Sequence, residues 1–236
     1  IGDFNPDTDA VEPAELEGID KWIMLRLKDL VNECREAYDN YSFHLVYHAI
    51  NNFCTTDLSK LYIDITKDRV YTGKSDGKAR RSAQTAMYEV LSALTRLIAP
   101  ILSFTAEEIW QCMPHKSGDE KKSVFLNRMP EIKYEYEMYG FIGKYDRLFE
   151  LRDDVMKALE IARADKLIGK SLDAAVTVYT MDDEIYTLLN SFSDELATVY
   201  IVSDAKVLKA AAPEGAFTET SSGIAVKVTV AEGERC

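Results

Sequence analysis

One stretch of the sequence decides the fold. It reads Asn52-Phe53-Cys54-Thr55-Thr56-Asp57-Leu58-Ser59-Lys60-Leu61-Tyr62, continues through Asp64, Lys67, Asp68 and Arg69 to Tyr71, and is followed by Arg80-Arg81-Ser82-Ala83-Gln84-Thr85-Ala86. Apolar residues recur in this stretch at the spacing of a long helix. Polar residues also occupy particular places inside that apolar pattern, whereas a generic amphipathic helix leaves those places free. The stretch is therefore more specific than an ordinary amphipathic helix.

Long helices are predicted on both sides of this stretch. A first helix of about five to six turns begins at Asp20, which we expect to act as its N-cap. The pattern restarts at Ser42 and continues to the break near Gly73, which makes a second long helix. A third helix covers residues 78–99 and ends at Pro100, because proline cannot continue an interior turn.

A shorter helix and a further long one follow. The run Thr105-Ala106-Glu107-Glu108 has the spacing of a capping box and predicts a short fourth helix through Trp110. A fifth helix is expected over residues 141–166. Short connections favour antiparallel neighbours, so the sequence predicts a helix bundle.

The hydrophobic period changes to two after Gly169, which indicates strands. Residues 175–179, 198–202 and 223–230 are rich in β-branched side chains, with a helical segment over residues 184–189. The predicted fold class is mainly α, an antiparallel helical bundle followed by a small α+β domain. The expected divisions are an extended acidic lead-in over 1–19, the bundle over 20–138, and a bridging helix with the α+β domain over 139–236.

The charge of the chain restricts how it could bind a nucleic acid. The 28 lysine and arginine residues are outnumbered by 40 aspartate and glutamate residues, so the formal net charge is -12. Long-range attraction to a polyanion is therefore not expected. Residues 67–81 are an exception, with six basic and two acidic residues. If the chain binds RNA, this local patch is the natural place for phosphate contacts.

The cysteines and the hydropathy pattern indicate the compartment. The four cysteines, Cys34, Cys54, Cys112 and Cys236, have no paired spacing, which favours reduced thiols and a cytoplasmic protein. There is no basic-then-apolar leader at the start of the sequence, and no apolar run approaches the roughly 20 residues that cross a bilayer. We expect a monomer that binds neither membrane nor DNA.

The stretch quoted above strongly resembles the anticodon-binding helical bundle of isoleucyl-tRNA synthetases. The resemblance covers nearly the whole chain and implies that tRNA(Ile) is the partner. It also implies a parent enzyme that joins isoleucine to its tRNA with ATP and magnesium. The ATP signature motifs of that family are absent, so the chain is expected to be an inactive C-terminal piece whose catalytic domain is missing. Two alternatives stay open: the corresponding part of a valine-type synthetase, or a helical protein-interaction module without an RNA role.

The resemblance and the residue types together give a set of candidate tRNA-binding residues. The basic window contributes Lys67, Arg69, Lys74, Arg80 and Arg81, which suit phosphate contacts. Stacking and edge contacts to bases suit aromatic and arginine side chains, here Trp22 with Arg26, and Tyr71. A tryptophan at this helical spacing is more often packed against the bundle than free to stack on a base.

Two further sites depend on the same resemblance. Lys166 and Lys170 flank Gly169 at a helix-to-strand junction, where the glycine is expected to be left-handed and the lysines serve either as junction or as RNA contacts. The run 232–236 is similar to the opening of a cysteine-rich zinc module. One thiolate cannot fill a tetrahedral zinc site, so Cys236 would be a metal ligand only in a longer chain. We therefore expect no cofactor in this chain, and zinc only in the parent enzyme.

Overall fold

The structure, a computed structural model, describes residues 2–132 and 139–232 of the chain. The chain divides into two compact units, residues 1–138 and 139–236. The first is built from helices, and the second combines helices with a three-stranded sheet. The predicted fold class, mainly α with a small α+β part, is confirmed. Within the described residues, no helix is both long and apolar enough to span a membrane.

Three long helical stretches form the first unit. Two of them, α1 and α4, agree closely with the helical periodicity of the sequence and cover Gly18–Asp39 and Lys78–Ile98. Between them lies a composite helix of three consecutive segments that together run from residue 43 to residue 72. Its segments are α2 (Phe43–Asn52), a π-helical segment (Phe53–Ile63) and α3 (Asp64–Thr72). The short α5 follows α4 and spans Ser103–Cys112.

The π-helical segment coincides with the stretch that distinguishes this sequence. In a π-helix each N–H bonds to a carbonyl five residues back, so its turn is wider than that of an α-helix. Residues four apart then remain close to one face, and Phe53, Asp57 and Leu61 are all buried. Hydrophobic spacing predicted a continuous helix here but did not predict its winding.

The predicted capping box at the start of α5 is wrong. The helix begins at Ser103, so Thr105 already lies inside its first turn. The nearby Glu107 carboxylate accepts hydrogen bonds from Ser123 Oγ and the Val124 amide, at 2.9 and 3.1 Å. Glu107 therefore holds the following 3₁₀ turn, Val124–Leu126, against α5.

The acidic chain before α1 packs onto the bundle. Its one regular element, among the residues described, is the three-residue 3₁₀ turn Pro13–Glu15. Phe4 is buried in a cluster with Tyr88 and Trp110. The backbone amides of Val11 and Glu17 donate to side-chain hydroxyls of α4, at 3.0 and 2.8 Å. This segment thus belongs to the structure of the first unit.

The second unit consists of a long helix and a small mixed sheet. The sheet joins β1 (Ala174–Thr180), β2 (Asp204–Lys209) and β3 (Ala225–Val230) in the order β2-β1-β3, with β2 parallel and β3 antiparallel to the central strand. Val176 in the middle of β1 pairs with Ala205 and Val228. In chain order the elements are α6 (Tyr139–Ala164), a 3₁₀ turn (Ser171–Asp173), β1 (Ala174–Thr180), α7 (Asp183–Ser191), α8 (Leu196–Tyr200), β2 (Asp204–Lys209) and β3 (Ala225–Val230).

The strand predicted over residues 198–202 is wrong. Most of that segment belongs to the short helix α8, and the strand β2 follows it. Val199 and Tyr200 are both buried, so tertiary packing overrides the β preference of the branched side chains. Strand β2 itself is largely exposed and has few β-branched residues, which is why its sequence gave little signal.

Three helices end on a non-glycine residue in the left-handed conformation. These residues are Tyr41, Lys166 and Ile201, with φ between 55° and 61°. After α6, the amide of Lys166 donates to the Arg163 carbonyl and that of Leu167 to the Ala162 carbonyl, at 3.0 and 2.9 Å. This is the Schellman pattern. The left-handed residue at this junction is therefore Lys166, and the prediction for Gly169 is wrong.

Candidate nucleic-acid interface

The carboxylate of Asp20 joins four parts of the first unit. It accepts hydrogen bonds from Tyr62 OH at 2.7 Å, from Arg69 Nη2 at 2.6 Å and from Ser82 Oγ. These donors lie on the π-helical segment, α3 and α4, and all three belong to the distinctive stretch of the sequence. Its polar positions therefore converge on one carboxylate. Since α1 begins at Gly18, the prediction that Asp20 caps this helix is wrong.

The pKa shifts in this cluster keep the Tyr62 phenol protonated. Burial raises the pKa of Asp20, while the charge of Arg69 and the hydroxyl of Ser82 act in the opposite direction. Burial and then the negative charge of Asp20 raise the pKa of Tyr62 well above its usual range. The phenol therefore keeps its proton and donates it to the carboxylate. The cluster fixes the packing of the bundle.

Arg69 belongs to this buried cluster. It was predicted as a tRNA contact, but its side chain is only 19% exposed and is ion-paired with Asp20, whose side chain has no exposed surface. If Arg69 moved away from Asp20, the buried carboxylate would lose its counter-charge, and the folded state would lose stability. The structure does not bring Arg69 to the surface with the other cations.

Arg80 holds the hairpin between α3 and α4 together. Its Nε donates to the Val70 carbonyl at 2.9 Å and its Nη1 to the Ser75 carbonyl at 3.0 Å. Its Nη2 lies 2.7 Å from the Asp3 carboxylate. The side chain is 16% exposed. Arg80 is thus a structural residue in this conformation.

Arg81 is neutralised by the acidic chain before α1. Its Nη1 donates to Gln84 Oε1 at 2.9 Å and lies 3.3 Å from the Asp9 carboxylate. Its Nη2 lies 3.5 Å from the Asp3 carboxylate. Arg80 and Arg81 of the predicted phosphate patch are therefore both paired with acids of the lead-in. The signal that could have indicated this is the composition of residues 1–19, which contain six acids and no base.

Trp22 also differs from its predicted role, and Arg26 is ion-paired in this structure. Trp22 is 1% exposed and lies in the core, so no base can stack on it in this structure. Arg26 is partly exposed and its Nε lies 3.2 Å from the Asp57 carboxylate. Of the aromatic types named for stacking, Tyr71 is the one that reaches solvent.

Four residues of the basic window present a cation or an aromatic ring to solvent, and together we call them the tip surface: Lys67, Tyr71, Lys74 and Lys78. Tyr71 is 85% exposed near the end of α3. Lys67 lies four residues earlier on the same helix, so both side chains share a face. Lys74 is exposed in the turn, and Lys78 begins α4. Lys67 is 2.9 Å from Asp64, and Lys78 is 3.8 Å from Glu15. The tip surface combines one aromatic face with three ammonium groups.

The second unit presents the other predicted cations. Lys166 and Lys170 are both exposed, on either side of Gly169. The Lys170 amide donates to Asp173 Oδ2 at 2.9 Å, which fixes the turn before β1. A Cβ on Gly169 would lie 3.2 Å from the same oxygen, so the turn leaves little room for a side chain. The backbone here is structural, and the two ammonium groups face solvent.

Cysteine thiols and other metal-ligand side chains could form a second kind of site. Cys34, Cys54 and Cys112 are free thiols. Cys236, the predicted first zinc ligand of a longer chain, lies outside the described residues. Within residues 2–132 and 139–232, no three histidine, cysteine, aspartate or glutamate side chains form a group that could hold a metal ion.

Comparison with known proteins shows what the chain resembles. The sequence family described as the anticodon-binding domain of tRNA ligase matches residues 20–180. The chain is 42% identical to isoleucine–tRNA ligase of Syntrophotalea carbinolica over 236 residues. It is 44% identical to the isoleucine–tRNA ligase of Caldanaerobacter subterraneus subsp. tengcongensis and 43% identical to that of Listeria monocytogenes serotype 4b, over 238 residues each.

The coverage of these matches is unequal. They include 99 to 100% of this chain but 25% of each relative. The chain therefore spans about a quarter of the length of the curated relatives that it matches.

Proposed function

The chain belongs to the anticodon-binding domain family of tRNA ligases, and we propose that it binds the anticodon stem and loop of tRNA(Ile). The observation that carries this proposal for the present residues is the tip surface. Tyr71 offers a face on which an unpaired base can stack, and Lys67, Lys74 and Lys78 offer charges for the neighbouring phosphates. Lys166 and Lys170 are proposed as separate phosphate contacts of the second unit.

The charge distribution supports a local mode of binding. With a net charge of -12, the chain as a whole repels RNA. First contact is therefore expected where cations are exposed in the free chain, and in the basic window these are the three lysines. The arginines Arg69, Arg80 and Arg81 support that surface from within because each is bonded to neighbouring backbone or carboxylate groups.

The identity of the tRNA rests on similarity. The three relatives named above are isoleucine–tRNA ligases, which favours tRNA(Ile) over the tRNA of a valine-type enzyme. We propose that the parent protein attaches isoleucine to this tRNA with ATP and magnesium, with any zinc held by a longer chain. On this proposal the present chain is a cytoplasmic monomer that works with the catalytic domain of the same polypeptide. By itself it should use no cofactor and catalyse no isoleucine-dependent pyrophosphate exchange.

The test is an electrophoretic shift with unmodified tRNA(Ile), scanned over salt concentration, with tRNA(Val) as the matched control. We expect a shift with tRNA(Ile) that weakens steeply as salt rises. Equal binding of both tRNAs would favour a related synthetase. The absence of any shift at low salt would contradict the proposal and favour a protein-interaction module.

A further inference from the structure

Three donor side chains of α4 converge on a single carboxylate, that of Asp3. Arg80 Nη2 and Nη1 lie 2.7 and 3.2 Å from its two oxygens. Gln84 Nε2 donates to Oδ1 at 3.1 Å, and Arg81 Nη2 lies 3.5 Å from Oδ2. The partly exposed Asp3 carboxylate is therefore contacted by two guanidinium groups and one side-chain amide.

This donor set is well suited to oxyanions in general. Guanidinium groups bind carboxylates and phosphates with the same forked geometry, and charge-assisted bonds of this kind are among the stronger hydrogen bonds in proteins. The hydrogen bonds from Arg80 and Gln84 hold the pKa of Asp3 well below its usual range. Asp3 is therefore an anion at every physiological pH, as a phosphate would be.

We propose that Arg80, Arg81 and Gln84 form a phosphate-binding site that Asp3 occupies in the free chain, and that a backbone phosphate of bound RNA takes this place by displacing the carboxylate. The inference deepens the proposed function and rests on it. On this proposal, Asp3 of the acidic lead-in is an internal competitor: it competes with the RNA phosphate for the same site.

The Asp3 carboxylate is accessible to a competing anion. The side chain is 45% exposed. The next residue, Phe4, is anchored in the core beside Tyr88, with ring centroids 5.8 Å apart. The carboxylate can therefore leave without unpacking the rest of the lead-in.

The arginines stay oriented when the carboxylate leaves. Arg80 keeps its bonds to the Val70 and Ser75 carbonyls, and Arg81 keeps its bond to Gln84. A site whose donors are already held in place loses less entropy on binding than a flexible one. A purely structural clasp would use the same contacts, so the two roles must be separated by experiment.

The experiment compares Asp3→Asn with Asp7→Asn in tRNA(Ile) binding over a range of salt concentrations. Asp7 is a matched control because it lies in the same acidic segment but contacts Ser117, at 3.0 and 2.6 Å, and not the arginines. For Asp3→Asn we expect affinity to rise by roughly 3- to 10-fold at 0.1 M salt and the salt slope to steepen by about 0.9 for one gained phosphate contact. For Asp7→Asn we expect a change of less than about 2-fold, since distant exposed charges are screened.

A second measurement keeps the proposal testable if Asp3→Asn lowers stability. Inorganic phosphate is titrated into the wild type and Asp3→Asn while the Nε–Hε resonances of Arg80 and Arg81 are followed by NMR. These resonances should shift in Asp3→Asn at lower phosphate concentrations than in the wild type. Shifts without tighter tRNA binding would mean that the site takes a free anion and would overturn the assignment to RNA.

The remaining outcomes separate this inference from the proposed function. Equal effects of Asp3→Asn and Asp7→Asn, or no gain in either, would overturn the internal competitor. If Lys74→Gln weakens tRNA binding in the same assay, the proposed function holds without the internal competitor. If no variant binds tRNA, the proposed function fails, and the arginine resonances then decide whether the oxyanion site exists.

Discussion

Asp20 Oδ1 and Arg69 Nη2 lie 2.6 Å apart, although 49 residues separate them in the sequence. The pair ties the first turn of α1 to the last turns of α3. Two residues beyond Arg69, Tyr71 is 85% exposed at the edge of the bundle. The exposed face that we assign to RNA is therefore carried by a helix whose end is fixed by a buried ion pair.

Neutralising Asp20 should destabilise the first unit severely. Asp20→Asn leaves the Arg69 guanidinium without its buried counter-charge, and breaking such a pair typically costs about 3–5 kcal/mol. Urea unfolding at pH 7 measures the loss. Asp29→Asn on the same helix is the control, since Asp29 is exposed. A loss of only about 1 kcal/mol for Asp20→Asn, as at surface pairs, would contradict the role given to this cluster.

The lysines of the tip surface should set the salt dependence of tRNA binding. Replacing Lys74 by glutamine removes one phosphate contact, so the slope of log affinity against log salt should become shallower by about 0.7–0.9. Lys122→Gln, also an exposed lysine of the first unit, should leave the slope unchanged. Equal slopes for the wild type, Lys74→Gln and Lys122→Gln would show that Lys74 does not contact a phosphate.

The second unit should show a specific acid sensitivity at Asp154. Burial raises the pKa of this carboxyl, but hydrogen bonds from Ser222 and Ser221 and from Lys157 outweigh burial and lower the pKa from 3.8 to about 2. A depressed folded pKa stabilises the protein above the unfolded value, and the contribution is lost as the pH falls through the folded value. A depression of this size corresponds to about 2 kcal/mol.

Asp154→Asn should therefore lose about 2 kcal/mol at pH 7 relative to the wild type. The difference between the two proteins should shrink between pH 4 and pH 2, as measured by urea unfolding. Asp153→Asn, at the exposed neighbouring position, is the control and should have a smaller effect. A difference that stays constant across this pH range would show that the charge of Asp154 does not matter.

The three described thiols should differ in reactivity. Burial raises the pKa of Cys34 to about 11, and Cys112 is exposed. Because the thiolate is the reactive form, an alkylating reagent at pH 8 should modify Cys112 rapidly and Cys34 only after unfolding. Peptide mapping by mass spectrometry distinguishes the sites. Equal labelling of both cysteines in the folded protein would contradict the burial of Cys34.

Helical periodicity predicted α1 and α4 well because each buries one continuous face. It could not predict the π-helical winding, since the same apolar residues suit either kind of helix. The sequence pattern predicted Asp20 as an N-cap because it can describe only hydrogen bonds between residues close in the sequence. In the folded chain, this carboxylate instead accepts hydrogen bonds from residues 62, 69 and 82, which are distant in the sequence.

The sequence predicted the basic window as the candidate site but could not predict which of its side chains reach solvent. Counting charges over residues 67–81 treats every cation as free, yet Arg80 is neutralised by Asp3, which lies 77 residues away in the sequence. Residue type alone could not separate Trp22 from Tyr71 as a stacking surface. Burial separates them, because the first lies in the core and the second faces solvent.

The central claim is that Tyr71 presents a base-stacking face, and the affinity of Tyr71→Ala for tRNA(Ile) tests it most directly. Loss of one stacked base should weaken binding by about 1–3 kcal/mol, or roughly 5- to 150-fold, while the melting temperature stays unchanged. Phe104→Ala is the matched control, because Phe104 is 93% exposed on α5 and lies outside the tip surface. An affinity for Tyr71→Ala equal to that of Phe104→Ala and of the wild type would contradict the claim.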